Sequence, residues 1–189
     1  VSDGERDAVR MICNFAERSG LLDHIEVLGF VDGCQSVDWI SDCGGKVINL
    51  LAKGSRRHCE QQLGKPLQEH VDDILRVVDY ADRRGMQVNL YLEDWSNGMK
   101  DSPQYVYQLM SRLSDTPIRR YMLPDTLGIL NPLQCVEYMR KMLRRFPNAH
   151  FDFHAHNDYD LAVSNSLAAV LCGCRGLHVT VNGLGERCG

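Results

Sequence analysis

The chain has 189 residues and carries 21 Lys and Arg against 25 Asp and Glu, which gives a formal net charge of −4. With 44% hydrophobic and 24% charged residues, its composition is that of a folded domain and not of a disordered, fibrous or membrane-spanning chain. It contains no block of basic residues, so we expect it to bind neither nucleic acid nor an anionic membrane.

Six short apolar runs alternate with amphipathic segments, and each run is typical of a buried strand. The predicted strands are 25–30, 47–51, 88–92, 118–123, 150–153 and 177–181. The predicted helices are 4–19, 37–41, 66–84, 103–113, 132–146 and 161–172. Three of these helices have a proline at their first residue, where proline is favoured.

The alternation of strand and helix predicts a parallel sheet with right-handed crossovers, either an open doubly wound sheet or a closed barrel. No Gly-x-Gly-x-x-Gly turn follows the first strand, which argues against a dinucleotide-binding sheet. The strands begin about 30 residues apart, and eight such repeats would fill about 250 residues. We therefore predict an α/β fold, an incomplete (β/α)8 TIM barrel in which residues 1–189 provide about six of the eight strands and the first two are missing.

The eight cysteines are scattered, without the spacing of a disulfide framework or of a Cys-x-x-Cys zinc ribbon. The first six residues are polar and do not resemble the core of a signal peptide, and no apolar run is long enough to span a bilayer. We therefore expect free, partly buried thiols, including Cys188, in a cytoplasmic protein.

Polar side chains gather at the predicted carboxyl ends of the strands, where catalytic groups lie in barrels of this type. His154 and His156 are separated by one residue, so both imidazoles project from the same face of a strand and can meet one ion. Two neutral imidazoles suit zinc or another divalent first-row metal, with oxygen ligands completing the shell. The other histidines, including His150 and His178, lack such a partner by spacing, and we expect them to have structural roles.

Glu93 closes the third predicted strand and shares one face with Tyr91, two residues earlier. A carboxylate near a bound metal can transfer protons, but by spacing alone Glu93 is equally compatible with a surface carboxylate at the start of a loop. Thr126 lies on a sharp turn after the fourth strand. Its hydroxyl can donate to a substrate carboxylate or cap the backbone that follows.

Three segments resemble motifs of a known family. Residues 123–128 (Leu-Pro-Asp-Thr-Leu-Gly), 154–158 (His-Ala-His-Asn-Asp) and 182–187 (Asn-Gly-Leu-Gly-Glu-Arg) are similar to the metal-dependent acyl-CoA barrels. That family includes 2-isopropylmalate, homocitrate and citramalate synthases and hydroxymethylglutaryl-CoA lyase. Three finer strings resemble the citramalate synthase branch most, and the resemblance runs from end to end of the chain. These strings are residues 28–33, 50–55 and 91–98.

The resemblance implies a divalent ion (Zn, Mn or Mg) held by His154 and His156. It implies a third ligand from an aspartate, and a neighbouring arginine that binds a 2-oxo acid, both on a strand that this chain does not include. Glu93 matches the glutamate associated with deprotonation of acetyl-CoA, and Thr126 matches the threonine that holds the 2-oxo acid carboxylate.

Leu28, Leu51 and Tyr91 match apolar substrate-pocket positions of the citramalate synthase branch, although they could instead be barrel packing residues. Large side chains at these positions would leave room for the methyl group of pyruvate and crowd an isopropyl group. Exclusion by bulk discriminates better than apolar attraction, which distinguishes one methylene by only about 1 to 3 kcal/mol. The resemblance therefore favours pyruvate as the 2-oxo acid.

The activity implied by the resemblance is an acyl transfer in which acetyl-CoA condenses with a short 2-oxo acid, in leucine or isoleucine biosynthesis. Residues 1–189 would form part of the catalytic barrel, without the carboxyl-terminal regulatory region of family members, and the full-length protein would be a homodimer. Three alternatives remain open: a 2-isopropylmalate synthase acting on 2-oxoisovalerate, a metal-dependent lyase, and a non-catalytic barrel segment with a binding role.

Overall fold

The computed structural model describes residues 1–187 as alternating helices and strands. The strands are β1 (Glu26–Phe30), β2 (Val47–Lys53), β3 (Gln87–Glu93), β4 (Ile118–Asp125), β5 (Phe151–Ala155) and β6 (Gly176–His178). The helices are α1 (Asp3–Arg18), α2 (Gln35–Asp42), α3 (Arg56–Gln62), α4 (Leu67–Arg83), α5 (Trp95–Asp101), α6 (Pro103–Leu113), α7 (Pro132–Arg145) and α8 (Ala162–Cys172). All six predicted strands are present, although β6 is shorter than predicted.

The six strands form one parallel sheet in the order β1 to β6, so that each strand pairs with the next one along the chain. Right-handed crossovers between sequential parallel strands place every connecting helix on the same face of the sheet. This is the arrangement of a TIM barrel, of which a complete example has eight strands. The predicted fold class is confirmed.

The core lies between the sheet and the helices. Alternate strand residues point toward the helices and are almost fully buried: Ile48, Leu50, Leu90, Leu92, Phe151 and Phe153. From the helix side, Val71, Ile74 and Val78 of α4 recur at the three- and four-residue spacing of one helical face and join the same cluster. This burial leaves the other half of each strand's side chains on the opposite, concave face.

Helices α3 and α5 were not predicted from the sequence. Each has only seven residues, which is about two turns and too short to show a helical hydrophobic period. The Ser55 hydroxyl accepts a hydrogen bond from the backbone N–H of His58 and caps α3. Helix α5 begins directly after β3 and buries Trp95 completely.

Seven cysteines within residues 1–187 carry free thiols, as expected, and five of them are buried. Burial raises the pKa of Cys135 to about 12 and that of Cys174 to about 11, so both stay protonated at neutral pH. Cys188 lies outside the described residues. None of the helices in the described part of the chain has the length and apolar character needed to cross a membrane.

Candidate metal and substrate site

The concave face of the sheet carries polar side chains in two layers. The rim layer lies at the carboxyl ends of the strands and consists of Lys53, Glu93, Thr126, His154 and His156. The basal layer lies nearer the amino ends and consists of Glu26, Asn49, Asn89, Arg120 and Asp152. The sequence analysis singled out every member of the rim layer for chemistry except Lys53.

His154 and His156 lie side by side, with ring centroids 4.8 Å apart and ring planes tilted by 45°. Burial, with smaller contributions from nearby positive groups, lowers the pKa of His154 to about 4. Burial also lowers the pKa of His156, with Arg187 adding to the effect. Both imidazoles are therefore neutral at neutral pH, and each has a nitrogen lone pair that can bind a cation.

The donor set of this pair fits part of a divalent metal site. Neutral imidazoles are the commonest ligands of zinc and of other divalent first-row metals. Within residues 1–187, however, no group of three or more His, Cys, Asp or Glu side chains converges as a complete site. A metal ion held by His154 and His156 would therefore need further ligands from outside this pair.

Glu93 forms an ion pair with Lys53 on the neighbouring strand. Both side chains are largely buried, at 22% and 17% exposure respectively, so Glu93 is not a surface carboxylate. The backbone of Lys53 is also held, because its N–H donates to His70 Nε2 at 3.0 Å and its carbonyl accepts from the Tyr105 hydroxyl at 3.3 Å. Lys53 escaped the sequence analysis because its partner lies 40 residues away, where no spacing rule applies.

The Thr126 hydroxyl accepts a hydrogen bond from the backbone N–H of Asp94 at 2.8 Å. It therefore links the ends of β4 and β3, and does not cap the backbone of its own loop. Asp94 is fully buried, and its carboxylate accepts from the Ser55 hydroxyl at 2.6 Å. Because the Thr126 oxygen acts as the acceptor here, its own hydrogen is free to donate to a ligand.

The loops that follow β4 and β5 are in close backbone contact. Gly128 has a φ of +61°, and a Cβ at this position would lie 2.6 Å from Oδ2 and 2.9 Å from the backbone nitrogen of Asp158. Only glycine satisfies both the left-handed backbone and this close approach. Arg187 strengthens the contact, because it donates to the Thr126 carbonyl at 2.5 Å and to Asp158 at 3.3 Å.

Of the three predicted pocket residues, Leu51 and Tyr91 are half-buried on the concave face and are direct neighbours in the β2–β3 register. Leu28 is 48% exposed and aligns with Asn49. The β1 residue that aligns with Leu51 is Phe30, which the sequence analysis did not select. The register of β1 could not be known before the sheet was assembled.

His178 of β6 is a site neighbour that the spacing of residues did not reveal. It aligns with His154 across the β5–β6 pair, and the two Nδ1 atoms are 3.4 Å apart. The Tyr91 hydroxyl lies 2.5 Å from His178 Nδ1 and 3.3 Å from His154 Nδ1. The expectation that His178 has no partner at the site is therefore wrong, whereas His150 contacts Asp152 of the basal layer.

A cleft of about 740 Å³ opens beside the histidines. One wall carries His154, His156 and His178, and the other carries apolar residues of α8, among them Val163 and Leu167. Its size lies within the range of small-molecule and cofactor sites, and its mixed lining suits a ligand with a polar head and an apolar remainder.

Comparisons with known proteins identify the family and the relatives of this chain. The sequence matches the HMGL-like family over residues 1–189. It is 31% identical over 189 residues to the 2-isopropylmalate synthase of Sulfolobus acidocaldarius, covering 100% of this chain and 47% of that protein. It is 35% identical over 143 residues to the (R)-citramalate synthase of Aquifex aeolicus, covering 76% of this chain and 27% of that protein. The chain thus spans less than half the length of these curated relatives.

Among solved structures, the HMG-CoA lyase of Bacillus subtilis superposes with a TM-score of 0.74 and 23% sequence identity. The match covers 85% of this chain and 55% of that protein. At this level of identity the likeness concerns the fold alone.

Proposed function

This chain belongs to the HMGL-like family, and we propose that the protein it forms condenses the acetyl group of acetyl-CoA with a short 2-oxo acid, as an acyltransferase. One observation carries the proposal: two neutral imidazoles, a lysine-paired carboxylate and a threonine hydroxyl meet at one rim of the sheet. Curated relatives named 2-isopropylmalate synthase and citramalate synthase support it.

In this proposal His154 and His156 hold a divalent metal ion, which when bound would polarise the ketone of the 2-oxo acid. Thr126 donates its hydroxyl hydrogen to the carboxylate of the same substrate and fixes its orientation. Glu93 lies on β3, between the strand of Lys53 and the strand that leads to Thr126. From this position it can reach the second substrate, acetyl-CoA.

Glu93 acts as the general base that takes a proton from the methyl group of acetyl-CoA. The enolate carbon formed in this way attacks the ketone carbon of the 2-oxo acid and forms the new carbon–carbon bond. The ketone oxygen receives the electron pair of the broken π bond and takes up the proton released from the methyl group, which gives the hydroxyl of the product. Water then hydrolyses the thioester and releases CoA with a free thiol. Lys53 holds the Glu93 carboxylate in place through their ion pair.

We further propose that the 2-oxo acid is pyruvate and the product citramalate. Leu51 and Tyr91 are bulky neighbours on the concave face, and Leu28 and Phe30 extend this wall along β1. Such a wall accommodates a methyl group and crowds an isopropyl group. With this activity the protein would serve branched-chain amino acid biosynthesis as a cytoplasmic homodimer.

The experiment is a thiol-release assay on the full-length protein with Mn²⁺ or Zn²⁺, acetyl-CoA and a series of 2-oxo acids, with products identified by mass spectrometry. We expect thiol release that depends on the 2-oxo acid and is fastest with pyruvate. Comparable turnover of pyruvate and 2-oxoisovalerate would refute the substrate preference. No thiol release with any 2-oxo acid would refute the condensation itself.

A metal-dependent lyase is the second candidate, favoured by the match to the HMGL-like family over residues 1–189, since that family resembles lyases as well as synthases. The same preparation should be incubated with 3-hydroxy-3-methylglutaryl-CoA. Cleavage of this thioester, without condensation of acetyl-CoA, would replace the synthase proposal with the lyase.

A further inference from the structure

Hydrogen bonds that join the ends of β2, β3 and β4 converge on one residue, Asp94. Its carboxylate accepts from the hydroxyl of Ser55, which follows β2, at 2.6 Å and from the side-chain amide of Asn97 at 2.7 Å. His58 Nε2 lies 3.4 Å from the oxygen that Ser55 contacts. The backbone N–H of Asp94 donates to the hydroxyl of Thr126, which follows β4, at 2.8 Å. Asp94 therefore contacts the loops after both neighbouring strands.

The backbone of Asp94 has a conformation that its side chain helps to stabilise. Its φ is +65° and its ψ is 26°, in the left-handed region that is unfavourable for most residues other than glycine. Aspartate tolerates this region because its short side chain can form local hydrogen bonds, and Asn97, three residues later, provides one. Since φ sets the angle between the N–H and the side chain, holding the carboxylate also holds the direction of the N–H.

Main-chain contacts hold Ser55 at a fixed distance from Asp94. The N–H of Gly54 donates to the Glu93 carbonyl at 2.6 Å, and a Cβ at Gly98 of α5 would overlap the Gly54 carbonyl. Gly98 in turn donates its N–H to the Asp94 carbonyl at 2.9 Å. The carboxylate therefore meets the Ser55 hydroxyl at a place that the main chain determines.

Burial keeps these hydrogen bonds formed. Asp94 is 0% exposed and Ser55 is 2% exposed, so no solvent replaces a lost partner. A buried carboxylate without its donors is costly, which favours the arrangement in which both donors reach it. Because the Thr126 hydroxyl accepts from the Asp94 N–H, its own hydrogen cannot face that N–H and is restricted to directions away from Asp94.

We infer that Asp94 is a positioning residue that fixes the Thr126 hydroxyl as a hydrogen-bond donor. Ser55 and Asn97 hold its carboxylate, the carboxylate stabilises the left-handed backbone, and the backbone N–H occupies the acceptor side of the hydroxyl. A donor that is oriented in advance binds its acceptor without the cost of being ordered. That this acceptor is the carboxylate of a 2-oxo acid rests on the proposed function, whereas the orientation of the hydroxyl does not.

The first test is hydrogen exchange at the amide of residue 94, followed by NMR in the ligand-free full-length protein. We expect Thr126→Val, which keeps the side-chain shape and removes the acceptor, to lower the protection factor of this amide about tenfold. Asp94→Ala should lower it by a similar factor, because alanine neither accepts from Ser55 nor favours the left-handed backbone. Asp94→Asn should keep the protection, because asparagine tolerates this backbone and its amide oxygen can accept from Ser55.

Asp101→Ala is the matched control, because it makes the same substitution at an exposed aspartate at the end of the same helix. It should change the protection factor at residue 94 by less than about twofold. If Asp94→Ala does not fold, as judged by thermal unfolding, Asn97→Ala removes one of the two donors and should lower the protection by a smaller factor. Equal protection in the unmodified protein and in Thr126→Val, or equal loss in Asp94→Asn and Asp94→Ala, would overturn the inference.

The second test is steady-state kinetics with both substrates. Asp94→Ala should raise the KM of the 2-oxo acid about tenfold and change that of acetyl-CoA less than about twofold, since only the first substrate contacts Thr126. A general loss of structure would raise both values. In the Thr126→Val background, Asp94→Ala should have little further effect, because both substitutions remove the same oriented donor. Effects that add in full would count against the inference.

These results separate the inference from the proposed function. If the amide of residue 94 behaves as expected but the protein condenses acetyl-CoA with no 2-oxo acid, the proposed function fails and the orientation of the hydroxyl stands. If the protein condenses the two substrates but Asp94→Ala changes both KM values alike, or changes neither, the inference fails and the proposed function stands.

Discussion

The rim layer and the basal layer lie on the same face of the same strands, and they differ in how much of their hydrogen-bonding capacity is already used. In the basal layer, Arg120 pairs with Glu26, donates to Asp152 at 3.0 Å and donates to Asn89 at 3.3 Å. Asn89 in turn donates to Asn49 at 3.0 Å. In this network the carboxylates of Glu26 and Asp152 are both paired with the Arg120 guanidinium.

In the rim layer, by contrast, His154 and His156 keep nitrogen lone pairs and Thr126 keeps a hydroxyl hydrogen. A displacement of two to six residues along β2 to β5 thus separates a closed network from an open one. A buried network loses stability when one charged member is removed, whereas an open layer can lose a member at little cost to folding. The two layers therefore make opposite predictions for mutation.

The largest expected effect is on activity, at the rim. Glu93→Gln keeps the shape of the side chain and removes the base, so we expect kcat to fall about 100- to 10,000-fold in a protein that still folds. The measurement is initial-rate thiol release alongside thermal unfolding. Glu137→Gln, in the exposed Glu137–Lys141 pair of α7, is the matched control and should retain full activity. A Glu93→Gln variant with normal kcat would show that the rim carboxylate is not the base.

The next effect is on stability, in the basal layer. Arg120→Met leaves the 1% exposed Asp152 and the nearby Glu26 without their cation. We expect the free energy of unfolding to fall by about 3 kcal/mol, measured by urea denaturation at pH 7. The same substitution at the exposed Arg112 of α6 should change it by less than about 0.5 kcal/mol. Equal effects at the two positions would remove the distinction between the layers.

A smaller effect concerns pH, at His70 beneath the Lys53–Glu93 pair. Burial lowers the pKa of His70 to about 4, so between pH 6.5 and 4 the unfolded chain binds a proton that the folded chain does not. Stability should therefore fall as the pH falls through this window, by about 2 kcal/mol between pH 7 and 5 for this one group. His70→Gln keeps an acceptor for the Lys53 N–H and should remove that part of the slope in urea denaturation series. An unchanged slope would contradict this assignment.

The smallest effect concerns the choice of substrate, at Leu51, which lies on β2 between the basal layer and the rim layer. Leu51→Ala enlarges the wall beside Tyr91 and should raise the kcat/KM ratio of 2-oxoisovalerate to pyruvate about tenfold. Leu28→Ala is the comparison variant and should shift this ratio less than Leu51→Ala, because Leu28 extends the wall along β1 but aligns with Asn49 and not with Leu51. A shift at Leu28 alone would place the pocket on β1, and no shift at either position would reject the proposed wall.

Much of the fold follows from local pattern. The buried strands are short runs of apolar residues, and helices such as α4 and α7 are long enough to show a helical period, so both were predicted to within a few residues. Helices α3 and α5 were missed because two turns carry too little pattern. The length of β6 was overestimated because the apolar residues Val179 and Val181 follow it, and these are exposed.

The site was predictable where its residues are near in sequence or match a motif. His154 and His156 share a strand, so a period of two was enough to bring their rings together. Lys53, His178 and Phe30 are brought to the site by pairing between strands, and their partners lie between 21 and 40 residues away. Such neighbours depend on strand register, which no local pattern contains.

The contact between Gly128 and Asp158 has a consequence for the length of substrate that the site accepts. Because Arg187 bridges Thr126 and Asp158, the turn that carries the hydroxyl and the segment that carries the two imidazoles move as one piece. Under the proposed function, the distance between the group that binds the substrate carboxylate and the groups that bind its ketone is then fixed, because main-chain contacts set it. A substrate with an extra carbon between its carboxylate and its ketone would not fit this fixed distance.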